Sequence, residues 1–339
     1  MSTYNPYLDV LYAACSHAQH VTLNVEKIIE VGDCIALSDF VVPSWRGPLF
    51  PDDDLWAEFI FWTSSINFAF TGVASGAYRL EYPNGTTHSG ANAMFAAFAR
   101  ALARGIPALD AGFWKSITPK LFEEFFGGST PLPMRQERKQ LLIENARVLL
   151  KKYGGKVENI FQESNFNCFT RGSIPGVVDR LISEFTFRDD VRYCPPTCSG
   201  GVLLTFNKRA QLLPMLYQGR AQSAGSNLQE LVGYEYLTIP ADYRVPQALE
   251  SLGLIHYDAW LKQRIVRGEL IEAGSLPEVE IRIQTVVAAE ELKTEINACR
   301  LGAGKEEITM LGLDSYLWNY GRQLGKRGEK HHLTMTTAY

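Results

Sequence analysis

The chain has 339 residues, of which 46% are hydrophobic, 12% aromatic and 21% charged. This composition excludes a disordered or collagen-like protein, and the length can supply a large core, either in a single domain spanning 1–339 or in two lobes of about 1–130 and 131–339. The 33 basic and 37 acidic residues give a formal net charge of −4, which disfavours binding to duplex DNA or long RNA.

Neither a membrane span nor a secretory leader is expected. The most apolar stretch, 56–78, contains Glu58 and Asn67 and falls short of the roughly 18 uninterrupted apolar residues of a spanning helix. The first residues lack the basic and apolar regions of a signal peptide. The sequence therefore predicts a soluble cytoplasmic protein whose 6 cysteines are reduced thiols.

Helical periodicity dominates the chain. The best-defined helix is predicted over 89–104, with Ser89 as N-cap and Gly105 ending it, and a longer one runs from 133 or 134 to 153. Strands are predicted at 78–82 and 86–88, joined by a turn at 83–85, and at 201–206. The fold class is therefore mainly α with a minor β hairpin or small sheet. Further helices are predicted over 5–20, 51–61, 118–126, 175–185, 208–218, 245–252, 277–300 and 306–323.

The sequence predicts no metal site and no cofactor. Dinucleotide, phosphate-loop, nucleophile-elbow and paired-histidine zinc motifs are absent. Cys194 and Cys198 have zinc-ligand spacing, but no second pair and no nearby histidine completes four ligands. The acidic run 52–54 precedes an apolar helical pattern, so capping of that helix is favoured over cation binding.

Two segments combine charge with a helix start. Lys208 and Arg209 follow Asn207, a predicted N-cap, and cations are unfavourable at this end of a helix unless an anion binds there. Bound phosphate would explain the two cations, although a solvated surface pair is the simpler alternative. Asp242 precedes a helix start at Pro246. It is either a carboxylate held beside a substrate, the partner of Arg244 in an ion pair, or a capping carboxylate.

Two further segments combine polar and aromatic residues. Asp314 and Trp318 share one helical face, where an acid can accept hydrogen bonds from a ligand amine or diol while the ring packs against the remainder. The alternative is an aromatic core stripe with a peripheral acid. The segment 66–70 carries one amide, Asn67, among aromatics and alone is typical of core. His331 and His332 are expected to face solvent.

From about Trp45 to Tyr339 the sequence resembles the queuosine salvage family, whose members are queuosine 5′-phosphate N-glycosylases that release the base queuine. Relatives can differ at Pro240, Asn319 and Leu49. The resemblance is carried by short matches in one order: Asn67-Phe68, Ser89-Gly90, Gly105-Ile106-Pro107, Glu137-Arg138, Lys208-Arg209-Ala210-Gln211, Ala241-Asp242-Tyr243-Arg244, Pro246-Gln247, Glu278-Val279-Glu280-Ile281-Arg282 and Tyr316-Leu317-Trp318.

The resemblance implies a compact helical domain similar to DNA glycosylases, with the active site between the lobes if there are two. It places the essential acid on Asp242, a phosphate-facing lysine on Lys208 and a base-binding acid on Asp314. It implies queuosine 5′-phosphate as substrate and queuine as product. Neither membrane association nor a stable nucleic-acid partner is expected. The other implied substrate-binding residues are Tyr243, Trp318, Asn319, Asn67 and Phe68.

Two other functions are compatible with the sequence. A base-flipping glycosylase or modification enzyme acting on tRNA or DNA would use a basic surface. A non-catalytic nucleotide- or base-binding protein would retain the aromatic core without the chemistry. The basic surface for the first alternative would comprise Arg135, Arg138, Lys139, Arg147, Lys151, Lys152, Lys326, Arg327 and Lys330.

Overall fold

The computed structural model describes residues 5, 7–197 and 200–339. Helix predominates in this part of the chain, as the sequence predicts. The helices are α1 (Leu8–Cys15), α2 (Val25–Ile35), α3 (Trp56–Ser65), α4 (Ala91–Ala103), α5 (Ala111–Lys115), α6 (Pro119–Phe125), α7 (Arg135–Tyr153), α8 (Glu158–Glu163), α9 (Val177–Glu184), α10 (Lys208–Ala221), α11 (Arg244–Ser251), α12 (Ala259–Arg267), α13 (Leu276–Gly302) and α14 (Met310–Lys326).

The strands form small antiparallel pairs. The predicted hairpin is confirmed, with Leu80 opposite His88, and the predicted strand near 201–206 pairs with a strand that the sequence analysis did not anticipate. The pairs are β1 (Val21–Leu23) with β8 (Ile255–Tyr257), β2 (Thr71–Gly72) with β3 (Gly76–Ala77), β4 (Arg79–Glu81) with β5 (Thr87–Ser89), and β6 (Asp190–Tyr193) with β7 (Val202–Thr205).

Several predicted helix ends differ from the observed ones. Ser89 is the last residue of β5 and does not cap α4, because Gly90, at φ 63°, turns the chain into the helix. Thr118 does cap α6, accepting a hydrogen bond from the Leu121 N–H. The acidic run 52–54 was predicted to cap a helix. Within it, the Asp53 carboxylate accepts from Arg220 Nη1 at 2.9 Å and so pairs with a buried guanidinium.

The chain divides into two compact units. The first comprises Met1–Pro43, Asp189–Lys208 and Glu235–Thr334. Its core forms around α13, against which α1, α2, β1 and α11 pack, while α11 also packs on α14. The buried half of α13 carries charged residues that have partners: Glu280 accepts from the backbone N–H groups of Gln19 and His20. Such pairing avoids the large free-energy cost of an uncompensated buried charge.

The second unit comprises Ser44–Arg188, Arg209–Tyr234 and Met335–Tyr339. Its core is aromatic, and α3 is buried on nearly all sides. The indole N–H groups of Trp56, Trp62 and Trp114 donate to backbone carbonyls, so these large rings are buried without an unsatisfied donor. Within the described residues, no helix is both long and apolar enough to cross a bilayer.

Candidate active site

Asp242 lies in the first unit, where the chain enters α11. Its Oδ1 accepts hydrogen bonds from the backbone N–H groups of Arg244 at 2.7 Å and Val245 at 2.9 Å. The carboxylate therefore caps the helix through one oxygen, which fixes its orientation. No described residue donates a hydrogen bond to Oδ2, so this oxygen is available to a ligand.

Burial and nearby charges act on the Asp242 carboxyl in opposite directions. Burial raises the pKa of Asp242 above its ordinary value, while the Lys208 ammonium and the N–H groups of Val245 and Arg244 oppose this rise. The predicted ion pair between Asp242 and Arg244 is absent from the described residues: Arg244 reaches Asp242 through its backbone N–H, and its guanidinium donates to Gln247.

Asp314, on the first turns of α14, is electrostatically coupled to Asp242. Burial, and next the charge of Asp242, raise the pKa of Asp314 to about 8, while Lys208 lowers it. The two acids and the lysine named in the sequence analysis thus form one interacting group in the first unit. Such a group can hold one proton and one negative charge near neutral pH.

A buried ion pair helps to position Lys208. Asp189 accepts from both terminal nitrogens of Arg282, whose guanidinium lies 3.9 Å from the Phe206 ring. The Asp189 N–H donates to Asn207 Oδ1, and the Asp189 carbonyl accepts from the Phe206 N–H. These bonds tie Asp189 to Phe206 and Asn207, the two residues that connect β7 to Lys208 at the start of α10. Asn207 was predicted to be an N-cap, but here its side-chain oxygen is engaged by Asp189.

The alternative of a solvated Lys208–Arg209 pair is wrong, because these side chains are 4% and 2% exposed. Arg209, the first residue of α10 assigned to the second unit, donates to the carbonyls of Ser65 and Thr186 at 2.7 and 2.5 Å. Arg209 therefore has a structural role that its position beside Lys208 does not indicate.

Helices α11 and α14 approach closely because α14 carries glycine at the contact. A Cβ on Gly321 would lie 2.4 Å from the Arg244 carbonyl oxygen, and one on Gly325 would lie 2.5 Å from Arg244 Nη1. Both distances are too short for a real Cβ. Glycine at these positions therefore lets the start of α11, with Asp242 just before it, pack against the helix that carries Asp314.

Tyr243 stacks on His331, with ring centroids 4.3 Å apart. The expectation that His331 and His332 face solvent is wrong: His332 is buried, His331 is half-buried, and His331 Nδ1 hydrogen-bonds the His332 carbonyl. Burial, followed by the charge of Arg244, lowers the pKa of His331 to about 4, so the ring is neutral at physiological pH. Gln247 anchors the same terminal segment, donating to the Glu329 carbonyl at 3.1 Å.

Trp318 and Asn319 follow Asp314 on α14. Trp318 is half-buried, one turn beyond Asp314, and the Arg322 guanidinium lies 4.8 Å from its ring centre. Asn319 is exposed. Trp318 is therefore partly accessible on the helical face that also carries Asp314.

Asn67 and Phe68 belong to the second unit, where both are buried. The Phe68 ring lies 4.2 Å from the Arg138 guanidinium, which donates to the carbonyls of Ile66, Phe68 and Ala69. Arg138 is fully buried, so it does not belong to the predicted basic surface of α7.

The predicted Cys194–Cys198 pair is not fully described, because Cys198 lies outside the described residues; Cys194 is exposed. In the described part of the chain, Asp33, Glu295 and Cys299 bring ligand atoms within 4.8 Å of one another. However, Cys299 Sγ donates to Asp33 Oδ1 at 2.9 Å, and this bond is the main cause that raises the thiol pKa to about 11. The thiolate that metals prefer is therefore disfavoured.

Sequence reasoning missed Gly321, His331 and Arg322. The spacing of Gly321 and Gly325 on one helical face was a usable signal, since small residues at this spacing permit a close helix contact. Nothing local in the sequence indicates that His331 stacks on Tyr243.

A family model described as "Queuosine salvage protein" matches residues 49–339. A protein of Sphaerobacter thermophilus is 30% identical over 325 residues, covering 95% of this chain and 94% of that protein. A Mus musculus protein is 28% identical over 295 residues, covering 85% and 83%, and one from Bos taurus is 29% identical over 281 residues, covering 80% and 77%. Each is named queuosine 5′-phosphate N-glycosylase/hydrolase. The chain belongs to the queuosine salvage protein family.

Proposed function

We propose that this protein hydrolyses the N-glycosidic bond of queuosine 5′-phosphate and releases queuine, with Asp242 acting at the ribose anomeric carbon. The names of its relatives support the reaction and the substrate. The observation that carries the residue assignment is the anchoring of Asp242: two backbone N–H groups hold one carboxylate oxygen, and no described residue donates to the other.

A carboxylate suits this reaction because breaking an N-glycosidic bond develops positive charge on C1′ and the ring oxygen. A fixed negative charge beside that carbon stabilises the transition state more than the ground state. The hydrogen bonds from Arg244 and Val245 keep the carboxylate oriented before the charge develops. Lys208 opposes the burial-induced rise in the Asp242 pKa and so favours the ionised form.

Asp242 can act in either of two ways. It can attack C1′ and form a ribosyl ester that water then hydrolyses, or it can orient a water molecule for direct attack. In both cases the bond from C1′ to the base nitrogen breaks, its electron pair leaves with the base, and water supplies the oxygen bound to C1′ in the product. Mass spectrometry of rapidly quenched enzyme distinguishes the two, because only the first forms a covalent ribosyl adduct on Asp242.

The departing base determines what the rest of the site must provide. A 7-deazapurine has carbon where a purine has the basic N7, so protonation at N7 is not available to assist departure. Hydrogen bonds to other polar atoms of the base therefore gain importance. We assign base binding to Asp314, with its carboxyl at the base, and to Trp318, Asn319 and Tyr243; Asn67 and Phe68 complete the proposed set.

Phosphate binding to Lys208 would hold the substrate through a group that does not react. Binding energy at such a remote group can position C1′ against Asp242, which increases turnover as well as affinity. Lys208 is suited to this role because it is buried and begins α10, where the helix dipole also favours an anion.

The deciding experiment is incubation of the purified protein with queuosine 5′-phosphate, without added metal, followed by chromatography and mass spectrometry for free queuine. Release of queuine that disappears in Asp242→Asn supports the proposal. Release from intact queuosine-containing tRNA but not from the monophosphate would instead indicate the base-flipping alternative. Binding of queuine without any release from either substrate would indicate a non-catalytic protein.

A further inference from the structure

Arg244 and Arg322 lack the carboxylate partners that two other buried arginines have. Arg282 is paired with Asp189, and Arg220 with Asp53. In the described residues neither Arg244 nor Arg322 has a carboxylate partner. The Arg244 side chain donates to Gln247 and lies 5.5 Å from the Tyr243 ring centre, and the Arg322 guanidinium lies over the Trp318 ring. Both side chains are half-buried, which removes part of the hydration that normally stabilises such a cation.

The Arg244 guanidinium lies against α14, one helical turn from the backbone of Arg322. Arg244 Nη1 lies against Gly325, 2.5 Å from where a Cβ would stand, and Arg322 precedes Gly325 by one helical turn. Burial, followed by the charge of Arg244, lowers the pKa of Arg322 below its ordinary value, as expected of two nearby like charges. An anion between them would relieve both the repulsion and the incomplete solvation.

The pair lies along the helix that carries the base-binding part of the proposed site. Asp314, Trp318 and Arg322 are spaced four residues apart and so lie on one face of α14. The backbones of Asp314 and Arg322 are eight residues apart, which corresponds to about 12 Å along the helix axis. A nucleotide held at Asp242 and Asp314 is long enough to approach this position.

We propose that Arg244 and Arg322 form a subsite for a phosphate-type oxyanion beside the carboxyl pair. Guanidinium groups bind such anions through paired N–H donors, and no described residue accepts a hydrogen bond from the Arg322 side chain. The oxyanion is either the 5′-phosphate of the substrate or a separate anion that binds next to it. Only the first of these sources rests on the proposed function.

The first arm measures binding of inorganic phosphate by calorimetry, with no catalysis involved. The variants are Arg322→Met, which removes the charge but retains a chain that covers Trp318, and Arg322→Lys, which retains the charge. Lys326→Met is the control, because this lysine is an exposed cation on the same helix. We expect Arg322→Met to weaken phosphate binding about tenfold or more, Arg322→Lys to retain part of the affinity, and the control to stay within about twofold.

The second arm measures kcat and KM with queuosine 5′-phosphate and with queuosine. If the subsite holds the 5′-phosphate, Arg322→Met raises KM for the nucleotide and leaves the nucleoside unchanged. If it holds a separate anion, Arg322→Met leaves both substrates unchanged while phosphate binding is lost. Either pattern supports the subsite.

The proposal is overturned if the native protein does not bind phosphate, or if Arg322→Met and Lys326→Met bind it equally well. Absence of queuine release by the native protein would refute the proposed function, but the calorimetric arm would still decide the subsite. Circular dichroism of each variant ensures that lost binding is not lost folding, and Arg322→Lys provides a second folded variant for comparison.

Discussion

Asp242 and Asp314 are electrostatically coupled acids on two packed segments, one just before α11 and the other within α14. The pKa of Asp314 is raised to about 8. Burial is the largest cause of this rise, and the charge of Asp242 is the second. The charge of Asp242 therefore makes Asp314 harder to ionise.

Replacing Asp242 by Asn should lower kcat by several orders of magnitude, since it removes the charge beside C1′ but retains an oxygen that can accept from Arg244 and Val245. The melting temperature should stay near that of the native protein or rise, because a buried charge is lost. Asp242→Ala is the matched control: it also loses the cap, at a cost of about 1 kcal/mol. Queuine release near the native rate in Asp242→Asn would exclude a catalytic role.

The Asp314 pKa makes stability depend on pH. The folded-state value of about 8 lies above the ordinary 3.8, so the folded protein binds a proton more tightly than the unfolded chain. The stabilisation from Asp314 is fully present below pH 4 and is lost as pH rises to 8. Asp314→Asn should therefore gain stability relative to the native protein between pH 5 and 8, by on the order of 1–3 kcal/mol. Urea unfolding of both proteins at pH 5 and at pH 8 measures this gain. A difference in unfolding free energy between the two proteins that is the same at both pH values would contradict the raised pKa.

Lys208→Ala should reduce kcat/KM for queuosine 5′-phosphate far more than for queuosine, because only the nucleotide has the phosphate. The acidic limb of the pH profile should also move to higher pH, since Lys208 lowers the pKa of both Asp242 and Asp314. Parallel kinetics on the two substrates from pH 5 to 9 test both effects. Equal losses on nucleotide and nucleoside would rule out a phosphate contact at this lysine.

Gly321→Ala should separate α11 from α14, because the new Cβ would lie 2.4 Å from the Arg244 carbonyl oxygen. A backbone atom cannot move away as easily as the end of a flexible side chain. We expect a loss of about 1–3 kcal/mol in the free energy of unfolding and a lower Asp314 pKa, visible as a shifted pH profile. Gly302→Ala is the control, since nothing lies within 4 Å of its Cβ position. An unchanged pH profile in folded Gly321→Ala would show that this contact does not set the coupling.

His331→Ala should impair substrate binding through Tyr243, whose ring loses its stacking partner. Loss of an aromatic pair is worth about 0.5–1.5 kcal/mol, or roughly a two- to tenfold rise in KM. His331→Phe keeps the stack and should restore KM close to the native value. Because the His331 pKa is about 4, the effect should not vary between pH 6 and 8. Equal impairment in the Ala and Phe variants would show that stacking is not its role.

Much of the fold could be predicted from the sequence, and the candidate site residues could be proposed from it, because both depend on local patterns. The periodicity of 135–153 identifies α7, and the turn at 83–85 identifies the hairpin of β4 and β5. Asp242, Lys208 and Asp314 were identified from their positions at helix starts or on a helix face, together with short matches to a known family.

Other features depend on which segments meet. Local patterns did not distinguish Lys208 from Arg209, and only the tertiary structure engages Arg209 with the carbonyls of Ser65 and Thr186.

The sequence by itself determined that the protein is mainly helical and which acids and lysine to examine, since helix periodicity and capping act between residues a few positions apart. Only the tertiary structure decided that the charge of Asp242 raises the pKa of Asp314 and that His331 stacks on Tyr243. Burial and charge coupling depend on distances between residues far apart in the chain, and these distances are set by packing such as that of Gly321 against Arg244.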